Sequence, residues 1–137
     1  MESPFHLRIE DRIAVLTFIR PDTLNSLTFE VYRELVAFFE TAPRDDRFDV
    51  VVVTGTGRGF CSGGDVHEII GELFERDMKG LLEFTRMTGD LVKAIRLVDK
   101  PVIAAINGLA AGAGSVIALA CDLRVMAETA AFRFLFT

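Results

Sequence analysis

Apolar positions along the chain change their period several times, and each change marks an element. Leu7–Ile9 and Ile13–Phe18 are short runs of β-branched and aromatic residues on either side of Glu10-Asp11-Arg12, which predicts an antiparallel hairpin. From Thr28, an N-cap candidate with Glu30 in the first turn, apolar residues recur at Val31, Leu35, Phe38, Phe39 and Ala42, one face of a helix. Asp49–Thr54 holds four consecutive valines, the pattern of a strand buried on both faces, and Gly55-Thr56-Gly57-Arg58-Gly59 ends it as a flexible loop.

Asp65 with Glu68 predicts a capping box at the start of a second helix, which Gly71 would close. Lys79–Val98 carries Leu81, Phe84, Met87, Leu91, Ile95 and Val98 at helical spacing, stopped by Asp99-Lys100-Pro101. Val102–Ile106 predicts a buried strand, Asn107-Gly108 a turn, Ala113–Ala120 a helix of small residues and Leu123–Met126 a further strand. Hairpin strands followed by strand–helix alternation define an α/β class, with no internal repeat and no linker dividing the chain into two domains.

Composition narrows the partners. Over 137 residues, 50% hydrophobic and 26% charged, the chain has the make-up of one globular domain rather than a disordered tail. A formal charge of −5, without clustered Lys and Arg, argues against a nucleic-acid partner. The longest apolar run, Leu109–Ala120, falls short of the ~20 residues that span a bilayer, so no membrane helix is expected. Met1-Glu2-Ser3-Pro4 lacks the start of a secretory signal, and the cytoplasm is the expected compartment. Cys61 and Cys121 then read as small core residues rather than a bridge. His6 and His67 are the only histidines and show no zinc spacing with the cysteines, so no metal is expected. Arg86 and Asp90 share a helix face and read as a surface ion pair, with a place beside a ligand pocket as the alternative.

Two segments put glycines where a strand hands over to a helix: Phe60-Cys61-Ser62-Gly63-Gly64-Asp65 and Asn107-Gly108-Leu109-Ala110-Ala111-Gly112-Ala113-Gly114. Glycine and alanine permit close approach of a ligand, and a helix start offers unpaired N–H groups backed by the positive end of the helix dipole. Two such places facing one point would form an oxyanion hole. Tight turn chemistry and close helix packing explain the same residues, and spacing leaves both open. Neither segment fits the dinucleotide-binding or phosphate-loop patterns, and Ser62 does not sit in a nucleophile elbow.

Gly57-Arg58-Gly59-Phe60-Cys61-Ser62-Gly63-Gly64-Asp65-Val66, then Lys100-Pro101-Val102-Ile103-Ala104-Ala105-Ile106-Asn107-Gly108 and Ala111-Gly112-Ala113-Gly114, resemble the paired signature of the crotonase (enoyl-CoA hydratase/isomerase) superfamily. Arg20-Pro21-Asp22 through Asn25-Ser26-Leu27 resembles that family's first CoA-contacting turn, and Ala120-Cys121-Asp122-Leu123-Arg124 its usual continuation. The resemblance covers nearly the whole chain. It implies a crotonase-like spiral of ββα units, with residues 1–137 forming the N-terminal part of a single acyl-CoA-binding domain. It further implies that the N–H groups of Gly64 and Ala113 receive a thioester oxygen. Ser26, Ser62, Asp65, Val66, His67 and Gly112 would line the substrate channel, and coenzyme A would enter only as part of the substrate, with no cofactor.

The resemblance also exposes departures. Many relatives have glycine where this chain has Ala113. Hydratases of the family carry a glutamate at the position of Val116, and valine cannot move a proton. A second acidic residue is expected beyond Phe132-Arg133-Phe134-Leu135-Phe136-Thr137. The expected activity is enoyl-CoA hydration or isomerisation. The alternatives are a non-catalytic acyl-CoA-binding protein of the same fold and a thioester hydrolase. A homotrimer or hexamer is expected of the complete protein; the 137 residues are expected to be one piece of a larger whole, because half of such a domain would leave apolar surface uncovered.

Overall fold

The computed structural model describes residues 3–135. Strands β1 (Phe5–Glu10) and β2 (Ile13–Phe18) form the expected hairpin, closed by Asp11 and Arg12, both with positive φ, 50° and 63°. Two left-handed residues give the turn whose twist matches that of the paired strands. From β2 onward the sheet is parallel: β3 (Val50–Gly55) lies beside β2, β5 (Val102–Ile106) beside β3 and β7 (Leu123–Met126) beside β5.

One face of this five-stranded sheet carries Ala14, Leu16 and Phe18 of β2, Val51 and Val53 of β3, and Val102, Ala104 and Ile106 of β5, all buried. They form one core with Leu35 and Phe39 of helix α1 (Phe29–Thr41), with Leu91 and Ile95 of α3 (Met78–Leu97), and with Ile117 of α4 (Ala113–Ala120). The valine run is not buried on both faces as expected. Val51 and Val53 are buried, whereas Val50 and Val52 are half-buried, with Val52 flanked by half-buried Val15 and Ile103 on the opposite face. Ile13, on the same face as Val15, is 40% exposed, so the alternation of a one-sided sheet persists beneath a uniform sequence.

Strands β4 (Gly59–Cys61), β6 (Leu109–Ala111) and β8 (Ala131–Arg133) form a second, parallel sheet that the hydrophobic pattern did not predict. Three residues each are too few to display a period, and Gly59 therefore starts a strand rather than ending a loop. Two helix expectations also change. Asp65 opens a π-helical turn, Val66–Ile70, which runs into the short helix α2 (Gly71–Leu73), so Gly71 does not end it. Glu68 does not complete a capping box, because the Asp65 amide bonds Leu27 O at 2.8 Å. Glu68 Oε1 instead accepts from Phe29 N at 3.3 Å, at the start of α1.

Caps follow the chemistry of their residues. Thr28 Oγ1 accepts from Val31 N at 3.3 Å and caps α1 as expected, while Asp77, two residues before the first residue expected in that helix, accepts from Gly80 N at 2.8 Å and caps α3. Cys61 and Cys121 are buried free thiols, and burial pushes both up to about 12. Arg86 and Asp90 are exposed and form no ion pair. Among the described residues no helix is long and apolar enough to cross a membrane.

Candidate active site

The two glycine loops meet because the second sheet pairs the strands that precede them. Cys61 of β4 lies opposite Ala110 of β6; β6 is followed directly by Gly112, and β4, after Ser62, by Gly63. Gly63 has φ of 102° and Gly112 φ of 53°, values that side chains resist. Gly63 is pressed so closely on the second loop that a Cβ there would stand 3.1 Å from Ala111 O and 3.4 Å from Ala113 N. Gly114 is tighter still, since a Cβ would come within 2.1 Å of Cys61 O. The absence of side chains thus brings two distant backbones into contact.

The amides at this junction are oriented by what their neighbours bond. Leu27 N donates to Gly63 O at 2.7 Å and Asp65 N donates to Leu27 O at 2.8 Å, a single parallel bridge between Leu27 and Gly64. In such a bridge the flanking residues make the hydrogen bonds, so the Gly64 amide is turned away from Leu27. Gly64 is exposed. On the second loop, Gly112 N bonds Arg133 O at 3.0 Å, and Ser115 N and Val116 N both reach Gly112 O, at 3.0 and 3.2 Å. Ala113 is the first residue of α4, where a helix leaves its N–H groups unpaired. Among the described residues neither the Gly64 nor the Ala113 amide has an acceptor.

The remaining residues singled out from the sequence divide into two groups. Ser62, half-buried, donates from N to Leu24 O at 2.9 Å and from Oγ to Thr23 O at 2.9 Å, fastening its loop to the turn after β2. Ser26 is buried, with its carbonyl taken by Arg20 Nη1 at 2.7 Å and its hydroxyl 3.0 Å from Asp65 Oδ2. Asp65 Oδ1 accepts from His67 N and Glu68 N, both at 3.1 Å, and Oδ2 also receives Arg20 Nη2 at 3.2 Å. The Glu68 amide above all, then the Ser26 hydroxyl and the Arg20 guanidinium, hold the Asp65 carboxyl below its ordinary value of 3.8 against the opposing effect of burial. Val66 and His67 stand apart, with exposed side chains on the π-helical turn.

Three residues that support the loops were visible in the sequence without a role. Arg20, part of a turn by its sequence context, joins Ser26 to Asp65 through its guanidinium. Asn25, with φ of 58° and 1% exposure, accepts from Arg20 N at 2.9 Å and donates to Thr56 O and Gly59 O at 3.0 and 2.8 Å. Asn107 accepts from Gly55 N and donates to Gly57 O and Gly59 O. The two asparagines hold the stretch entering β4 from both sides; Asn107 follows β5 directly, whereas Asn25 lies in the turn that follows β2.

A groove of about 420 Å³ between α1 and α3 is lined by Val36, Phe39, Glu40, Pro43, Asp90 and Ala94, among others. None of its lining residues belongs to the glycine loops, and its charged residues Glu40, Asp90 and Lys93 form no ion pair among the described residues.

Residues 8–137 match the enoyl-CoA hydratase/isomerase family, and the chain belongs to it. The chain is 34% identical over 129 residues to 1,2-epoxyphenylacetyl-CoA isomerase of Escherichia coli K12, covering 94% of this chain and 49% of that protein. It is 37% identical over 123 residues to 2,3-dehydroadipyl-CoA hydratase of the same organism, covering 90% and 46%. A crystal structure from Streptomyces coelicolor A3(2), provisionally described as an enoyl-CoA hydratase, superposes with a TM-score of 0.90 at 48% identity, covering 94% of this chain and 47% of that one. The mixed α/β architecture is therefore that of the crotonase fold, and the chain spans about half the length of the curated relatives it matches.

Proposed function

We propose that this chain supplies the thioester-polarising part of an acyl-CoA hydratase or isomerase site, with the Gly64 and Ala113 amides as the two donors. The observation that carries this reading is the contact between the loops. A Cβ built on Gly63, the residue before Gly64, would stand 3.4 Å from Ala113 N at the start of α4, and among the described residues neither amide has an acceptor. A carbonyl oxygen drawn between them gains negative charge as an enolate-like transition state forms, and preorganised N–H groups stabilise that charge without having to reorient. The chemistry common to the family's hydratase and isomerase relatives is accommodated by such a site, and an acyl-CoA thioester is the substrate class.

Proton transfer is not supplied by these two loops. Val116, half-buried on α4 three residues beyond Ala113, has no acid or base function, and the nearby Asp65 carboxylate is committed to its cap and to Arg20. Val116 is also the observation that favours a second reading, an acyl-CoA-binding protein of the same fold without turnover. Calorimetric titration of the native protein with hexanoyl-CoA tests the shared premise: saturable binding supports it, and no binding at millimolar ligand removes both readings. Turnover of crotonyl-CoA or longer enoyl-CoA substrates then separates enzyme from binder. The family resemblance also leads us to expect a trimer or hexamer, which mass in solution reads directly.

A further inference from the structure

The Gly63-Gly64 pair has little conformational preference of its own, so the direction of the Gly64 amide is imposed by its surroundings. One surrounding contact is the exchange with Leu27 already described. Immediately beside it is a polar assembly of Arg20, Ser26 and Asp65. Arg20 Nη1 holds the carbonyl of Ser26, the residue before Leu27, while Nη2 holds Asp65 Oδ2, on the residue after Gly64. One guanidinium therefore grips both ends of the bridge that orients Gly64. Ser26 Oγ closes the assembly, lying 3.1 Å from Arg20 Nη1 and 3.0 Å from Asp65 Oδ2.

The two carboxylate oxygens divide their work. Oδ1 caps the π-helical turn through His67 N and Glu68 N, and Oδ2 faces Ser26 and Arg20. The Arg20–Asp65 pair is also shielded, with side-chain exposures of 31% and 13%, whereas Arg12–Asp49 stands at 58% and 62%. Shielding keeps such a pair directional where an exposed one is screened by salt and water. We infer that Arg20 and Asp65 are positioning residues: together they clamp the Leu27–Gly64 bridge and so set the aim of the Gly64 amide at the thioester oxygen. This rests on the reading of Gly64 as a donor.

The test separates positioning from helix capping. Asp65→Asn keeps a side-chain oxygen for the cap, since asparagine caps as well as aspartate, but turns an amide N–H₂ toward Arg20 and Ser26. Arg20→Met removes the grip with the cap intact, and Arg20→Lys keeps the charge without the two-pronged reach. Each is made in the native protein and followed by thermal unfolding, by kcat and KM on the enoyl-CoA that wild type turns over, and by the infrared carbonyl stretch of bound hexanoyl-CoA carrying carbon-13 at the thioester. Arg12→Met, at the far end of the sheet hairpin, controls for loss of any ion pair.

In wild type the bound carbonyl band shifts to lower frequency than in free ligand. In Asp65→Asn and Arg20→Met the shift shrinks and kcat falls about ten- to a hundredfold while KM changes less, the pattern of a misplaced group rather than of lost binding. Arg20→Lys recovers part of both, so the inference stays open to refutation even where a harsher variant fails to fold. Arg12→Met alters neither. A folded Asp65→Asn or Arg20→Lys with the wild-type band and wild-type kcat overturns the clamp and leaves the donor assignment standing. An unshifted band in wild type overturns the donor assignment and the clamp with it.

Discussion

Replacing Ala113 by proline isolates one amide with little disturbance of the fold. Ala113 opens α4, and the helix's first bonds run from Ser115 N and Val116 N to Gly112 O, so the Ala113 N–H takes no part in them. Proline has no N–H, and its fixed φ suits the first helical position. The stability change should stay within about 1 kcal/mol, or about 4 °C in Tm for a domain of this size. The ring also puts a carbon where the N–H pointed, next to Gly63. Loss of one donor to a developing oxyanion costs about 2.7–4 kcal/mol, a fall of about 100- to 1,000-fold in kcat. Unfolding scans and circular dichroism establish that the variant is folded, and turnover of enoyl-CoA substrates reads the effect. A folded Ala113→Pro protein with undiminished kcat would refute the role given to this amide.

Three further outcomes follow from the geometry. Gly114→Ala forces a methyl to within 2.1 Å of Cys61 O, so α4 must move off β4; a loss of about 1–3 kcal/mol is expected, read as a lower Tm. Asn25→Ala strands the Arg20 amide and the Thr56 carbonyl, leaves the Gly59 carbonyl to Asn107 and puts alanine at φ of 58°, for a loss of about 2–4 kcal/mol in denaturant unfolding. Asp65 is held below 3.8 in the folded protein, so its contribution to stability is complete above that pH and is lost as pH falls through the lower folded value. The stability difference between wild type and Asp65→Ala should therefore be constant near neutrality and narrow in acid melts below pH 3.8; a difference that widens there would contradict the assignment.

The hydrophobic pattern located α1, α3 and strands β2, β3 and β5, because each buries one face and the periods of 3.6 and 2 record it; β7 was legible as an apolar run although all four of its residues are exposed. It missed β4, β6 and β8, whose three-residue runs gain their pairing only from one another. It overestimated the burial of Val50 and Val52, since four valines look alike whether a second face is covered or open. At the site, the glycines at 63, 64, 112 and 114 were legible as places of close approach, but their mutual contact depends on the unforeseen second sheet. Arg20 and Glu68 were legible only as a turn residue and half of a capping box. Their actual partners lie 45 and 39 residues away, at distances that local rules cannot reach.

The crystal structure of the native protein with a bound acyl-CoA puts the convergence of the two amides to the most direct test. The thioester oxygen should lie about 2.7–3.1 Å from both Gly64 N and Ala113 N. An oxygen held by other groups, with either amide turned to an internal acceptor, would contradict the proposed chemistry.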